Sequence, residues 1–133
     1  MDLLVTHPVK KLDIGFHGNL FGGRLLEWLD AALAAYAMEK CHSQNMVTIS
    51  LDQCVFKKPA KEKQSVKIYA EMISVGTTSA TFRVEARAYN VFSREETTIL
   101  QTCMTFVRID DYGEPIPISK QVKQSFKTPE SKL

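Results

Sequence analysis

The chain has 133 residues, with 44% hydrophobic residues, 24% charged residues and a formal net charge of +2. That is one domain's worth of sequence, too apolar for a disordered chain and too nearly neutral for a dedicated nucleic-acid binder. No apolar run approaches the roughly 18 residues of a membrane span, and Leu3-Leu4-Val5 is too short for a signal-peptide core.

The first predicted element is a helix over residues 22–41. Gly22-Gly23 open a run rich in Leu and Ala, both strong helix formers. The run is apolar nearly all round, so burial on most of its surface is expected. The period then changes to two. Val47, Ile49 and Leu51 alternate with Thr48, Ser50 and Asp52, and Val55 resumes the apolar row before Lys57-Lys58-Pro59. A second strand follows on Val66, Ile68, Ala70 and Met72, and Gly76-Thr77 reads as a turn. Ala80, Phe82, Val84, Ala86 and Ala88 form a third strand. Asn90 to Glu96 is a polar turn, and Ile99 to Ile109 is a fourth, strongly β-prone run. Asp110 to Pro115 breaks it, and the tail beyond Ser119 is expected to be mobile.

One long buried helix and four antiparallel strands make an α+β domain over residues 1–118, followed by a basic tail over 119–133. A sheet of such long strands can wrap the helix. Its exposed edges invite pairing with another copy, so at least a dimer is expected.

The charge is unevenly placed. Lys57, Lys58, Lys61, Lys63 and Lys67 stand against Glu62, a local balance of +4, and the tail carries +3. With a total of +2, the rest of the chain is at −5. Lysines that merely solubilise a loop and a chain end account for this as well as a phosphate-attracting surface does. The three cysteines, Cys41, Cys54 and Cys103, form no CxxC pair and point to a reducing, cytosolic setting.

Asp30 is the sharpest anomaly. Its helical neighbours are Leu26, Glu27, Leu33 and Ala34, and a carboxylate costs free energy to bury among apolar groups. Either the Glu27/Asp30 side is the solvated face of the helix, or Asp30 is a general base or nucleophile in a cleft. Before it runs His17-Gly18-Asn19-Leu20-Phe21-Gly22-Gly23. Glycines at a helix start let a ligand approach the backbone, where unpaired N–H groups and the helix dipole suit an oxyanion. They also serve as an ordinary tight turn. His7 and His42 have no spaced partners, so no metal site is expected.

The stretch Gly18-Asn19-Leu20-Phe21-Gly22-Gly23 with Asp30 seven residues further resembles the signature of hotdog-fold acyl-CoA thioesterases, in the branch of short-to-medium-chain acyl-CoA thioester hydrolases. Val75-Gly76-Thr77-Thr78-Ser79 is similar to the family's turn after the third strand, and Val55-Phe56-Lys57-Lys58-Pro59 to its strand end. The resemblance covers residues 10–118. It implies a helix wrapped by an antiparallel sheet, dimers with one continuous sheet, sites at the dimer interface and assembly into hexamers. It implies Asp30 as the catalytic carboxylate from one protomer. Asn19 and the Gly22-Gly23 backbone of the facing protomer would hold the thioester carbonyl. Phe21, Gly76, Thr78 and Ser79 would contact substrate and coenzyme A, with Lys57 and Lys58 in the loop that attracts its phosphates.

Two positions depart from the family pattern: Gly15 stands where many members have Asn, and Asn19 where many have Asp. The expected activity is hydrolysis of acyl-CoA to a free acid and coenzyme A, with no cofactor or metal and no nucleic-acid or membrane partner. The alternatives are a non-catalytic acyl-CoA-binding or regulatory hotdog module and a hotdog enoyl-CoA hydratase or dehydratase, for which His17 is the nearest histidine.

Overall fold

Three long strands set the frame. In the computed structural model, which describes residues 1–128, β4 (Ser65–Val75), β5 (Ser79–Tyr89) and β6 (Glu96–Arg108) form an antiparallel meander. Short turns join them, so strands adjacent in sequence pair in space. The register sets Ile68 opposite Ala86, Ala70 opposite Val84 and Phe82 opposite Met104. One face therefore carries Val66, Ile68, Ala70, Phe82, Val84, Ala86, Leu100 and Phe106, all wholly buried. This is the alternation expected from sequence.

The sheet has six strands where four were expected. β1 (Asp2–Pro8) adds to the free side of β4, and β2 (Met46–Leu51) and β3 (Val55–Phe56) pair with β6. The strand order is β1-β4-β5-β6-β2. Leu3-Leu4-Val5, read only as a short apolar run, lies in β1. Its pairing with β4, rather than a period of its own, makes it a strand. The expected strand from Val47 to Val55 is cut in two at Asp52–Cys54, with a bulge between Thr48 and Ser50. Its apolar row does not enter the core: Val47, Ile49 and Leu51 are 38–57% exposed.

α1 (Gly22–Cys41) matches the expected bounds. Its burial does not match. Leu25, Leu29, Leu33, Tyr36, Ala37 and Cys41 make one buried stripe, while Asp30, Ala31 and Ala35 are exposed. A straight helix can press only one stripe onto a sheet, so the Ala-rich side faces away. Phe82 links helix and sheet, with Tyr36 and Phe106 packed edge-on at 5.7 and 5.8 Å. The Tyr36 hydroxyl donates to Asp2 Oδ2 at 2.5 Å, tying the start of β1 to the helix. His7 of β1 stacks on Trp28 of α1, with ring centroids 4.5 Å apart.

The tail is structured where it is described. Ile118 and Val122 are buried, and Ser119 caps a short α2 (Lys120–Ser125) by accepting from the Gln121 N–H. The part of the mobile-tail expectation on residues 129–133 lies outside the described residues.

The outer face of the sheet is a charge lattice. Arg87 bridges Glu85 and Glu96 at 2.9 and 3.2 Å, Lys67 reaches Glu96 at 3.1 Å, and Arg83 reaches Glu71 at 2.7 Å. Burial alone would raise the Glu85 carboxyl, but bonds from Arg87 and Thr98 outweigh it and hold it below the ordinary range. Lys67, counted in the basic loop, is a strand residue engaged in this lattice.

A short 3-10 turn, Lys11–Asp13, leads toward α1. The Asp13 side chain is buried, accepts the Lys10 N–H at 2.9 Å, and faces Arg24 Nε at 3.4 Å. Asp13→Ala strands that N–H donor and should lower stability by about 1–3 kcal/mol, read from denaturant unfolding. His7 gives a pH signature. Burial lowers its pKa below 6.5, with Asp13 opposing and Lys10 assisting. The unfolded chain then binds more protons than the folded one just below pH 6.5, so stability rises with pH through that window and is lost on acidification. The thermal midpoint should show this slope, and His7→Phe should flatten it.

Candidate active site

The loop before α1 is tightly wound. Gly15 N–H donates to the Asn19 carbonyl at 2.8 Å and Gly18 N–H to the Gly15 carbonyl at 3.0 Å. Gly18 sits at φ +79°, a conformation that favours glycine. Leu20 N–H reaches the Ala60 carbonyl at 2.8 Å, and Phe21 N–H the Asp13 carbonyl at 2.9 Å. The loop is thus pinned on both sides as it enters the helix.

Arg24 and Leu25 are the first helical N–H groups to find a backbone carbonyl, that of Phe21. The N–H groups of Gly22 and Gly23 precede that bond and form the positive end of the helix. The Phe21 ring lies across Gly23. A Cβ at position 23 would come within 2.7 Å of the ring, so a side chain there would have to push the exposed ring aside. Beside this helix start is a cleft of about 370 Å³, walled by Phe16, Phe21, Phe56 and Pro59, with Asn19 and Gly22 also lining it.

Asp30 lies two turns along α1 from Gly23, roughly 10 Å at 1.5 Å per residue. It is exposed, at the margin of the buried stripe of α1 that lies next to β2. Thr48 of β2 donates its hydroxyl to Asp30 Oδ1 at 2.7 Å. That bond holds one carboxylate oxygen. Oδ2 accepts no hydrogen bond among the described residues. Sequence reasoning missed Thr48. Its only signal was its place in the polar row that alternates with Val47, Ile49 and Leu51.

Gly76, Thr78 and Ser79 sit far from the helix start. They form the β4–β5 turn, where Gly76 N–H bonds the Ser79 carbonyl at 2.7 Å. The turn is tied to the end of β6 and to the tail, through Arg108 N–H to Thr78 and Ile118 N–H to Thr77. The helix start is tied instead through Ala60 to the segment preceding β4. The eleven residues of β4 separate the two ends by roughly 30 Å. One chain therefore does not gather Asp30, Asn19, Gly22, Gly23, Gly76, Thr78 and Ser79 in one place.

The lysines also disperse. Lys57 Nζ donates to Gln101 at 2.6 Å, Lys58 is exposed, and Lys61 Nζ donates to Asn19 Oδ1 at 3.0 Å. Lys61, not Lys57 or Lys58, reaches the loop at the helix start. Arg24 is held by Asp13 and by Glu27 at 3.6 Å. His17 is exposed and meets the Phe16 ring edge-on. Burial raises the Cys54 and Cys103 thiols, which makes poor nucleophiles of them. Among the described residues no His, Cys, Asp and Glu cluster suits a metal ion, and no helix is long and apolar enough to cross a membrane.

Residues 17–91 match the family model described as the thioesterase superfamily. A relative from Bacillus subtilis, named as the uncharacterized acyl-CoA thioester hydrolase YkhA, is 31% identical over 120 residues, covering 90% of this chain and 69% of the relative. The fold superposes on HI0827, a hexameric broad-specificity acyl-coenzyme A thioesterase solved as an aspartate-to-alanine mutant. The TM-score is 0.84 and the identity 26%, covering 90% of this chain and 88% of that one. It also superposes on an acyl-CoA hydrolase from Staphylococcus aureus, solved with butyryl coenzyme A and coenzyme A. There the TM-score is 0.78 and the identity 28%, over 90% and 77% of the two chains. With more than half its length matched by the family model, a helix on a curved six-stranded sheet and these neighbours, the chain belongs to the thioesterase superfamily and has its hotdog fold.

Proposed function

We propose that this protein hydrolyses acyl-CoA thioesters, with Asp30 as the catalytic carboxylate in a site completed by a second copy of the chain. The observation that carries the reading is Asp30 itself. It stands outside its own core on a buried-face helix, and the Thr48 hydroxyl orients one of its oxygens. A carboxylate so held can take a proton from water as the water oxygen adds to the thioester carbon, or attack that carbon directly to give a mixed anhydride that water then hydrolyses to the free acid. In either case the C–S bond breaks, and coenzyme A leaves as a thiolate that needs little protonation. The N–H groups of Gly22 and Gly23 are suited to the oxyanion formed in between. A donor of that kind is typically worth about 2.7–4 kcal/mol in the transition state. Relatives and fold neighbours named as acyl-CoA thioester hydrolases and thioesterases support the substrate class.

A second copy answers the separation found within one chain. β2 is an edge strand with an exposed apolar row, Val47, Ile49 and Leu51. Edge-to-edge pairing of two β2 strands would engage the free backbone edge, set this row beside its copy and continue the sheet. A two-fold axis there runs the two helices side by side in opposite directions. It sets Asp30 of one copy against the helix start of the other, and draws the Gly76–Ser79 turn of one toward the cleft of the other. Further assembly of dimers into a hexamer is in keeping with neighbours described as hexameric. Three free cysteines are in keeping with a reducing, cytosolic setting.

A thiol-release assay over a panel of acyl-CoA esters tests the reading. Asp30→Asn should lower kcat by about 10²–10⁴-fold, the usual worth of an acid–base group, with the oligomer intact by light scattering. Thr48→Val should lower kcat less and leave KM near the wild-type value. Full turnover in a folded Asp30→Asn protein would sink the assignment. Ile49→Glu places a charge in the exposed row, so it should give smaller species on size exclusion and lose turnover with them.

A further inference from the structure

Asn19 has an unusual partner. A lysine ammonium most often pairs with a carboxylate, yet Lys61 Nζ lies 3.0 Å from the neutral amide of Asn19. An ammonium carries donors and no acceptor. The amide pole facing it must therefore be Oδ1, whatever orientation is drawn, and the NH2 group is the free pole. Asn19 lines the same cleft as Gly22, at the start of α1.

Both partners are held by the backbone. The Asn19 carbonyl accepts from Gly15 N–H, and the next residue is tied to Ala60. Lys61 N–H donates to the Gln64 side chain at 2.8 Å, and Gln64 N–H returns to the Lys61 carbonyl at 3.1 Å. Val9 closes the turn by bonding Gln64 and Lys63. Lys57 is turned to Gln101 and Lys67 to Glu96, so the other engaged lysines of this region point elsewhere.

We propose that Lys61 is a positioning residue for the thioesterase reaction: by holding Oδ1 of Asn19 it presents the amide NH2 to the cleft, as a donor to the thioester carbonyl oxygen. This inference rests on the acyl-CoA thioester hydrolase reading above. It gives Asn19 a reason to be an amide. An aspartate at position 19 would pair with Lys61 at least as strongly and would offer the cleft no donor.

The test is a double-mutant cycle on the full chain with butyryl-CoA as substrate, reading kcat and KM separately. Asn19→Asp keeps the lysine partner, removes the donor, and should lower kcat by roughly 10–100-fold. Lys61→Met should lower kcat about tenfold with KM within about twofold, and Lys61→Arg should restore most of it. The double variant Asn19→Ala/Lys61→Met should be no slower than Asn19→Ala alone, because Lys61 acts through Asn19 and alanine leaves it nothing to hold. Lys61 is exposed, so its variants should fold, and circular dichroism checks that. If Lys61→Met raises KM in a salt-dependent way with kcat unchanged, the lysine serves the phosphates of coenzyme A and the proposal falls. Multiplicative effects in the double variant overturn it too. Wild-type turnover with an unaffected Lys61→Met protein sinks the positioning role alone, whereas a wild-type protein that releases no thiol while Asp30→Asn behaves identically removes the hydrolase reading and this inference with it.

Discussion

A curved sheet can cover only one stripe of a helix, and the arrangement of this molecule follows from that limit. The buried face of β4, β5 and β6 takes Leu25, Leu29, Leu33 and Tyr36 and leaves the alanine side of α1 uncovered. Small side chains there permit another surface to approach the helix backbone closely. Asp30 stands at the margin between the two sides, beside β2 and exposed, so its charge is never buried in the fold of its own chain. The fold thus holds a carboxylate on a rigid helix without the large desolvation cost that burial among leucines would impose.

The helix start is built by different means. No side chain caps it: Phe21 is the N-cap and contributes only backbone. Its approach is instead fixed by Asp13, Ala60 and the turn at Gly18, all outside the helix. The first N–H groups are left free by construction, while the loop that carries them is held at several points. Rigid presentation of unpaired donors is the condition for electrostatic stabilisation that needs no reorganisation.

Much of this was legible in the sequence. The bounds of α1 follow from its Leu/Ala run and the paired glycines, and β4, β5 and β6 from strict alternation on Val66, Phe82 and their neighbours. The family signature singled out Asp30 and the helix start, the two elements on which the proposed function rests. What stayed hidden depended on contacts between distant segments. β1 owes its existence to pairing with β4, since Leu3-Leu4-Val5 has no period of its own. The exposed apolar row of β2 reads like a core row, because alternation reports that two faces differ and not which one is covered. Thr48 and Lys61 bond residues 18 and 42 positions away, distances over which composition carries no signal. The lysine run looked like one basic surface, and the fold spends its members on separate partners.

The contact between Phe21 and Gly23 bears on how this site can change. A methyl group at position 23 and the ring at position 21 claim the same space, 2.7 Å apart at closest approach. The two positions are therefore not independent under mutation. A side chain at 23 needs the exposed Phe21 ring to swing off its seat, and that movement opens the wall of the cleft. A substitution at either position therefore reshapes the same wall.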